Sequence, residues 1–178
     1  MKKILFVLAL TLVCIATFAQ KPAERRALFR SWNNYEISQV KTASSGYVFV
    51  KVWGFGKKEH LAIAQAKKNA VHACIFRGLP AVGSEIGAFP ALIQDQNITQ
   101  EDEKADYFAD FFNIGPGKEV NPPYISFVDS STDGVPSGQD RREVKGGYKV
   151  ALYVRVNTDM LRKKLQQDNI IVSLQNMF

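Results

Sequence analysis

Residues 47–73 read YVFVKVWGFGKKEHLAIAQAKKNAVHA, and this stretch decides the fold. Tyr47 to Trp53 are almost all β-branched or aromatic, which favours an extended chain, and the nearly continuous apolar run predicts the more buried strand of a pair. Gly54-Phe55-Gly56 is expected to end that strand in a sharp turn and to let the next element come close to the sheet. That element is predicted as a helix over 57–77. Ile63, Ala66, Ala70, Ala73 and Cys74 recur at steps of three and four, giving one apolar stripe of small side chains. Lys57, Lys58, Lys67 and Lys68 lie off the stripe, and Gly78 and Pro80 stop the helix.

Upstream, residues 35–40 (YEISQV) alternate apolar and polar, which predicts a strand with one wet face. Thr42-Ala43-Ser44-Ser45-Gly46 has turn chemistry, so the two strands read as a β-hairpin. Residues 21–32 (KPAERRALFRSW) read as a short helix. Downstream, 79–121 reads as an irregular insertion that opens with a Gly-, Pro- and Ala-rich loop. Inside it, Thr99 is positioned to cap a helix with Glu101, Asp102 and Glu103 in its first turn, continued by Ala105, Phe108, Phe111 and Phe112. A strand is expected over 124–128, then a long polar connection over 129–147. The alternating stretch 148–156 (YKVALYVRV) predicts another strand. Asn157 and Asp159 offer N-cap chemistry for a helix over 160–167, and 170–174 suggests a last strand. The expected architecture is α+β: a single-domain two-layer sandwich with a mainly antiparallel sheet and helices packed on one face.

The N-terminus carries its own reading. Met1-Lys2-Lys3 is followed by an apolar run from Ile4 to Ala19, and Thr17 and Ala19 are small residues at the positions a signal peptidase reads. A cleaved signal peptide over 1–19 is expected, with a single α+β domain over 20–178. The run is shorter than the roughly 20 apolar residues of a membrane-spanning helix. Cys14 is preceded by Val13 rather than a small residue, so the run lacks a lipobox. Cleavage removes Lys2 and Lys3 and lowers the net charge from +6 to +4. The expected location is the periplasm or outer cell envelope, with no membrane span after cleavage.

Composition narrows the chemistry. The chain has 178 residues, 46% hydrophobic and 22% charged, which excludes collagen, coiled-coil rods and disordered tails. Its two Cys exclude a disulfide-rich scaffold and its two His leave little for a catalytic zinc. The modest positive charge of an exported chain gives no reason to expect a nucleic-acid partner. Gly54-Phe55-Gly56 lacks the third glycine of a dinucleotide fingerprint, since Glu59 stands there, and Lys57-Lys58-Glu59 is not a Walker loop. Cys74 is expected to be a core residue rather than a nucleophile. His72 is two residues away and points to a different helix face. His60 lies roughly 21 Å along the helix. No HExxH, CxxC or GxSxG occurs.

Glu101, Asp102, Glu103, Asp106 and Asp110 form an acidic cluster without EF-hand spacing, read as a solvated helix face. Beside it, Tyr107, Phe108, Phe111 and Phe112 are too many aromatics to face one core from one helix. Phe108 and Phe111 are expected to pack down. Tyr107 and Phe112 are expected at the edge, ringed by Asp106 and Asp110, as a partner surface.

Two stretches together carry a resemblance: YVFVKVWGFGKKEHLAIAQAKKNAVHA over 47–73 and GGYKVALYVRVNTDMLRKKLQQDNII over 146–171. A strand ending in Gly-x-Gly before an Ala-stepped helix, and a strand running into a Leu- and Arg-containing helix, resemble small exported envelope proteins. These are the proteins around the curli-channel lipoprotein CsgG, the synthase activator LpoB and the N-terminal domain of flagellar protein FlgT. The resemblance implies a non-enzymatic assembly or accessory role, and it carries over no functional residue. This chain departs from the group in its missing lipobox and its 79–121 insertion. The expected function is therefore a non-catalytic exported cell-envelope accessory protein that binds another envelope protein, with no cofactor and no metal. Two alternatives stand beside it. One is a cell-wall or carbohydrate hydrolase using paired carboxylates from the 101–110 helix and the 129–143 loop. The other is a small-ligand binding module using the groove beside Trp53 and Phe55.

Overall fold

A computed structural model describes residues 35–93, 104–113, 122–130 and 136–171. A hairpin opens the described chain: β1 (Ile37–Ser44) and β2 (Tyr47–Gly56) pair antiparallel. The turn is tighter than the sequence suggests. Thr42, Ala43 and Ser44 continue the strand, and only Ser45 and Gly46 turn, both at positive φ of 50° and 77°. Two successive left-handed residues make the hairpin turn whose twist matches that of the strands. A bulge between Gln39 and Lys41 leaves Val40 exposed.

β2 also runs past its expected end, through Gly54 and Gly56. It pairs over its whole length with β5 (Gly147–Asn157), from Tyr47 opposite Asn157 to Gly56 opposite Tyr148. Along the far side of β5 lie two short strands placed end to end. β3 (Val128–Ser130) pairs with residues 154–156 and β4 (Arg141–Val144) with residues 147–150. They behave as one strand interrupted between Ser130 and Arg141. The expected strand over 124–128 is instead a 3₁₀ turn, Pro123–Phe127, and the polar connection contains β4.

Val48, Val50 and Val52 of β2, with Val150, Leu152, Val154 and Val156 of β5, point to one face and are fully buried or nearly so. Helix α1 (Glu59–His72) lies on that face and ends in a π turn, Ala73–Arg77. The buried stripe begins at Ala62 and continues through Ala66, Ala70, Ala73 and Cys74, while Ile63 is only half-buried. The reason is Gly54 and Gly56. A Cβ on Gly54 would overlap the Ala62 carbonyl oxygen and the Ala66 amide nitrogen, so the alanines of α1 rest directly on strand backbone. The two glycines serve close packing rather than a phosphate.

The π turn frees carbonyls that the insertion then uses. Leu92 N–H donates to the Cys74 carbonyl at 2.9 Å and Ile93 N–H to the Ile75 carbonyl at 3.0 Å. Gly78, at φ +67°, turns the chain into a small double-bridged loop, with Leu79 paired to Phe89 and Val82 to Ile86. Buried Gln39 donates to the carbonyls of Pro80 and Gly87 at 2.8 and 2.9 Å, which ties this loop to β1. Residues 79–93 are thus a fastened part of the domain rather than a loose loop.

Helix α2 (Ala105–Phe111) and helix α3 (Thr158–Gln167) complete the helical layer. Asn157 caps α3 by accepting from Met160 N–H at 2.9 Å, as its position predicts. Thr158 is bonded to the Gly46 carbonyl through both N–H and hydroxyl, joining α3 to the hairpin turn. The result is one α+β unit, a curled antiparallel sheet with helices packed on one face. The expected helix over 21–32, the Thr99 cap with Glu101 to Glu103, and most of the expected last strand lie outside the described residues. Ile170 and Ile171 do not form a strand.

Cys74 is fully buried, and burial pushes its thiol up to about 12. Native protein at pH 8 should therefore resist a bulky thiol reagent until it is unfolded. Cys74→Ser should lower stability by about 1–2 kcal/mol, read from denaturant melts, because a hydroxyl enters an apolar site.

Candidate functional site

Of the four residues expected as a partner surface on the aromatic helix, Phe112 is core. Phe112 is fully buried against Phe108, Phe111, His72 and Tyr124, with ring centroids 5.0 to 6.4 Å apart. Phe108 packs on Phe76 and Phe111 on Phe127. α2 is covered from more than one side. The π turn of α1 meets one flank and the Pro123–Phe127 turn another, so a short helix buries three phenylalanines at once. Phe112 also sits past the last helical residue, at φ −91° and ψ 2°, which rolls its ring inward.

Tyr107 is half-buried and committed. Its hydroxyl donates to Asp168 Oδ2 at 2.5 Å, and Lys164 Nζ bonds Asp168 Oδ1 at 2.8 Å. The pair clamps α2 to the end of α3. Asp106 and Asp110 stand exposed on the outer side of α2.

The clamp has a pH signature. Burial and the bond to Asp168 raise the Tyr107 phenol well above its ordinary value. Partial burial raises the Asp168 carboxyl, but the hydrogen bonds from Lys164 and Tyr107 outweigh it and leave the group below the usual range. An acid held low in the folded state stabilises above its unfolded value of 3.8 and loses that contribution as pH falls through the folded value. Tyr107→Phe should cost about 1 kcal/mol near neutral pH, with the difference from the parent shrinking below pH 4. Paired urea melts at pH 7 and pH 3 check this.

The other face of the sheet has a different character. Residues that alternate with the buried valines of β2 are Tyr47, Phe49, Lys51, Trp53 and Phe55, and β5 adds Lys149, Tyr153 and Arg155. None of α1 to α3 covers this face, and the 3₁₀ turn Gly138–Asp140 reaches it through Asp140. Phe55 is 51% exposed and Tyr153 37%.

Aromatic rings and cations interleave across it. Lys149 Nζ lies 4.9 Å from the centroid of the Trp53 ring, Arg142 Cζ 5.7 Å and Lys51 Nζ 5.8 Å. Lys51 also lies 5.0 Å from the Tyr153 ring, Lys41 5.3 Å from Phe49 and Arg155 5.3 Å from Tyr47. Three carboxylates join them: Asp140 at 2.7 Å from Lys51, Glu36 at 2.9 Å from Lys149 and Asp129 at 3.1 Å from Arg155. The bond to Asp140, helped by Tyr153, holds the Lys51 ammonium above its ordinary value, so it stays charged throughout the physiological range.

Trp53 and Phe55, the residues named for a ligand groove, do lie on this face, but as part of a broad surface. Lys51, Arg142, Lys149, Tyr153 and Arg155 were missed. The period of two within each strand places Lys51 with Trp53 and Tyr153 with Arg155, whereas their assembly across strands depends on the register of β2 with β5. The described acids of the two stretches named for a carboxylate pair are drawn to different partners, and Glu143 shares Arg141 with Glu59 of α1. Asp129 and Asp140 are bound to cations on this face, while Asp106 and Asp110 belong to the helical layer.

Among the described residues no cluster of His, Cys, Asp and Glu is arranged to hold a metal, and no helix is long and apolar enough to cross a membrane. Fold and site together define a small α+β chain with one sheet face that no described α-helix covers. Comparison with protein-family models, with curated proteins and with solved structures finds no match.

Proposed function

We propose that this chain is a non-catalytic binding protein of the cell envelope, and that it grips another envelope protein through the open face of its sheet. The observation that carries this reading is the interleaving of partly exposed aromatic rings with cations on a face that no described α-helix covers. Tryptophan, tyrosine and arginine are the residue types that dominate binding energy at protein interfaces, and here they share one surface. Export rests on the N-terminal apolar run, and the accessory role agrees with the resemblance of 47–73 and 146–171 to envelope assembly factors. The hydrolase alternative has less support, because Asp129 and Asp140 of the 129–143 stretch are bound to cations on the open face, whereas Asp106 and Asp110 of α2 lie in the helical layer. The small-ligand alternative keeps Trp53 and Phe55, but the Trp53 ring is already flanked by three of the chain's own cations, from β2, β4 and β5.

Site-specific photocrosslinking in cells tests the reading. A photoreactive phenylalanine at Phe55 or Tyr153 should give a discrete adduct with one envelope protein, identified by mass spectrometry. The same probe at Arg162 or Lys163, exposed on α3, should not. Adducts only from α3, or none from the sheet, would refute it.

A further inference from the structure

Resting on the binding role just proposed, we infer that the open face takes an acidic, extended polypeptide segment running diagonally from Lys41 to Arg142. Five cations share this face with three carboxylates. Lys51, Lys149 and Arg155 each have an acid partner, which leaves Lys41 and Arg142 with only aromatic rings beneath them among the described residues. Carboxylates supplied by a partner are the complement those two lack.

The geometry also gives a length. Lys41 stands opposite Phe49, and Arg142 opposite Lys149, which in turn faces Phe55. Lys41 and Arg142 are therefore three strand spacings apart across the sheet and six residues apart along it. At ~4.8 Å per strand and ~3.3 Å per residue that diagonal is roughly 25 Å, the span of about eight extended residues. Lys51, Trp53 and Tyr153 lie along it.

The same contacts discriminate between occupants. Trp53 is flanked by three of the protein's own cations, so its ring is engaged in orienting them. A stacking ligand, whether a nucleobase or a sugar ring, must displace a cation to reach it. A carboxylate approaches the outer side of the same cations and leaves those contacts in place. An acidic peptide fits this arrangement better than a nucleic acid or an anionic glycan.

Fluorescence anisotropy with three labelled probes tests the inference: a ten-residue peptide alternating glutamate and threonine, an oligothymidylate and a sulfated heparin fragment. The peptide should bind most tightly of the three, and its affinity should fall with added salt. Lys41→Glu with Arg142→Glu should weaken the peptide by at least about tenfold. Arg162→Glu with Lys163→Glu, the same charge change on exposed positions of α3, should weaken it by less than about threefold. If the double reversal fails to fold, Lys41→Ala with Arg142→Ala should still weaken the peptide by more than the Arg162 and Lys163 pair does. Absence of peptide binding, equal losses in the two pairs, or tighter binding of either other probe overturns the inference. Repeating the Tyr153 crosslink in the reversal variant separates the two levels. A retained adduct leaves the open face as a contact surface but removes the acidic occupant.

Discussion

Gly54→Ala should unfold the protein or bring it to the edge of unfolding. The added methyl meets backbone, the Ala62 carbonyl oxygen and the Ala66 amide nitrogen, with the Ala66 Cα at 2.8 Å. A clash with the end of a flexible side chain is relieved by a rotamer change, whereas here α1 must move off the sheet. That movement strips contacts from Val50, Val52, Ala66 and Ala70 together, all fully buried. The cost should exceed about 3 kcal/mol, beyond the usual overpacking range and a large share of a small domain's stability. Gly87→Ala is the control, since nothing lies within 4 Å of the position a Cβ would take there. It should change stability by less than about 0.5 kcal/mol. Thermal melts of the two variants decide the matter, and a Gly54→Ala protein with parental stability would show that α1 does not press on β2.

Phe112→Ala should lower stability by about 3–5 kcal/mol, the range for truncating a buried aromatic. The ring is fully buried and touches α1, α2 and the Pro123–Phe127 turn through His72, Phe108, Phe111 and Tyr124. Its removal leaves a cavity bounded by three elements, so no single side chain can close it. Urea titration measures the loss as a shift of midpoint at unchanged slope. Phe112→Leu should recover more than half of it by refilling most of the volume. A loss under about 1 kcal/mol for the alanine variant would restore the edge position that the helical stripe alone suggests.

That misplacement shows where local reading stops. Helical periodicity locates Phe108 and Phe111 correctly because they belong to α2 itself. Phe112 follows the helix, and its direction is set by Tyr124, which is twelve residues on and comes from another element. Tyr107 has the same lesson in polar form, since its partner Asp168 lies sixty-one residues away.

The strand over 124–128 failed for a related reason. Tyr124-Ile125-Ser126-Phe127-Val128 has strong strand propensity, but Pro122 and Pro123 begin a 3₁₀ turn that buries Tyr124 and Phe127 against α2. Burial of two aromatics outweighs a propensity worth at most about 1 kcal/mol. Conversely, Arg141 to Val144 is a polar run with little strand signal. It becomes β4 because β5 offers it an unpaired edge and a two-residue turn at Lys145-Gly146, with Gly146 at φ +91°.

The sequence by itself determined the α+β class, the hairpin, α1, the strand over 148–156, the Asn157 cap and the burial of Cys74. Each of these depends on periodicity, capping or turn chemistry within a few residues, where local physics is strong. Only the tertiary structure decided that Gly54 and Gly56 lie within a strand rather than after it, because their role is to admit the backbone of α1. It alone decided that Phe112 is core, that Tyr107 is a clamp, and that cations from β1, β2, β4 and β5 converge on the rings of Tyr47, Phe49, Trp53 and Tyr153. Strand register brings those residues together from positions up to about a hundred residues apart, and no period in the sequence encodes register between strands so far separated.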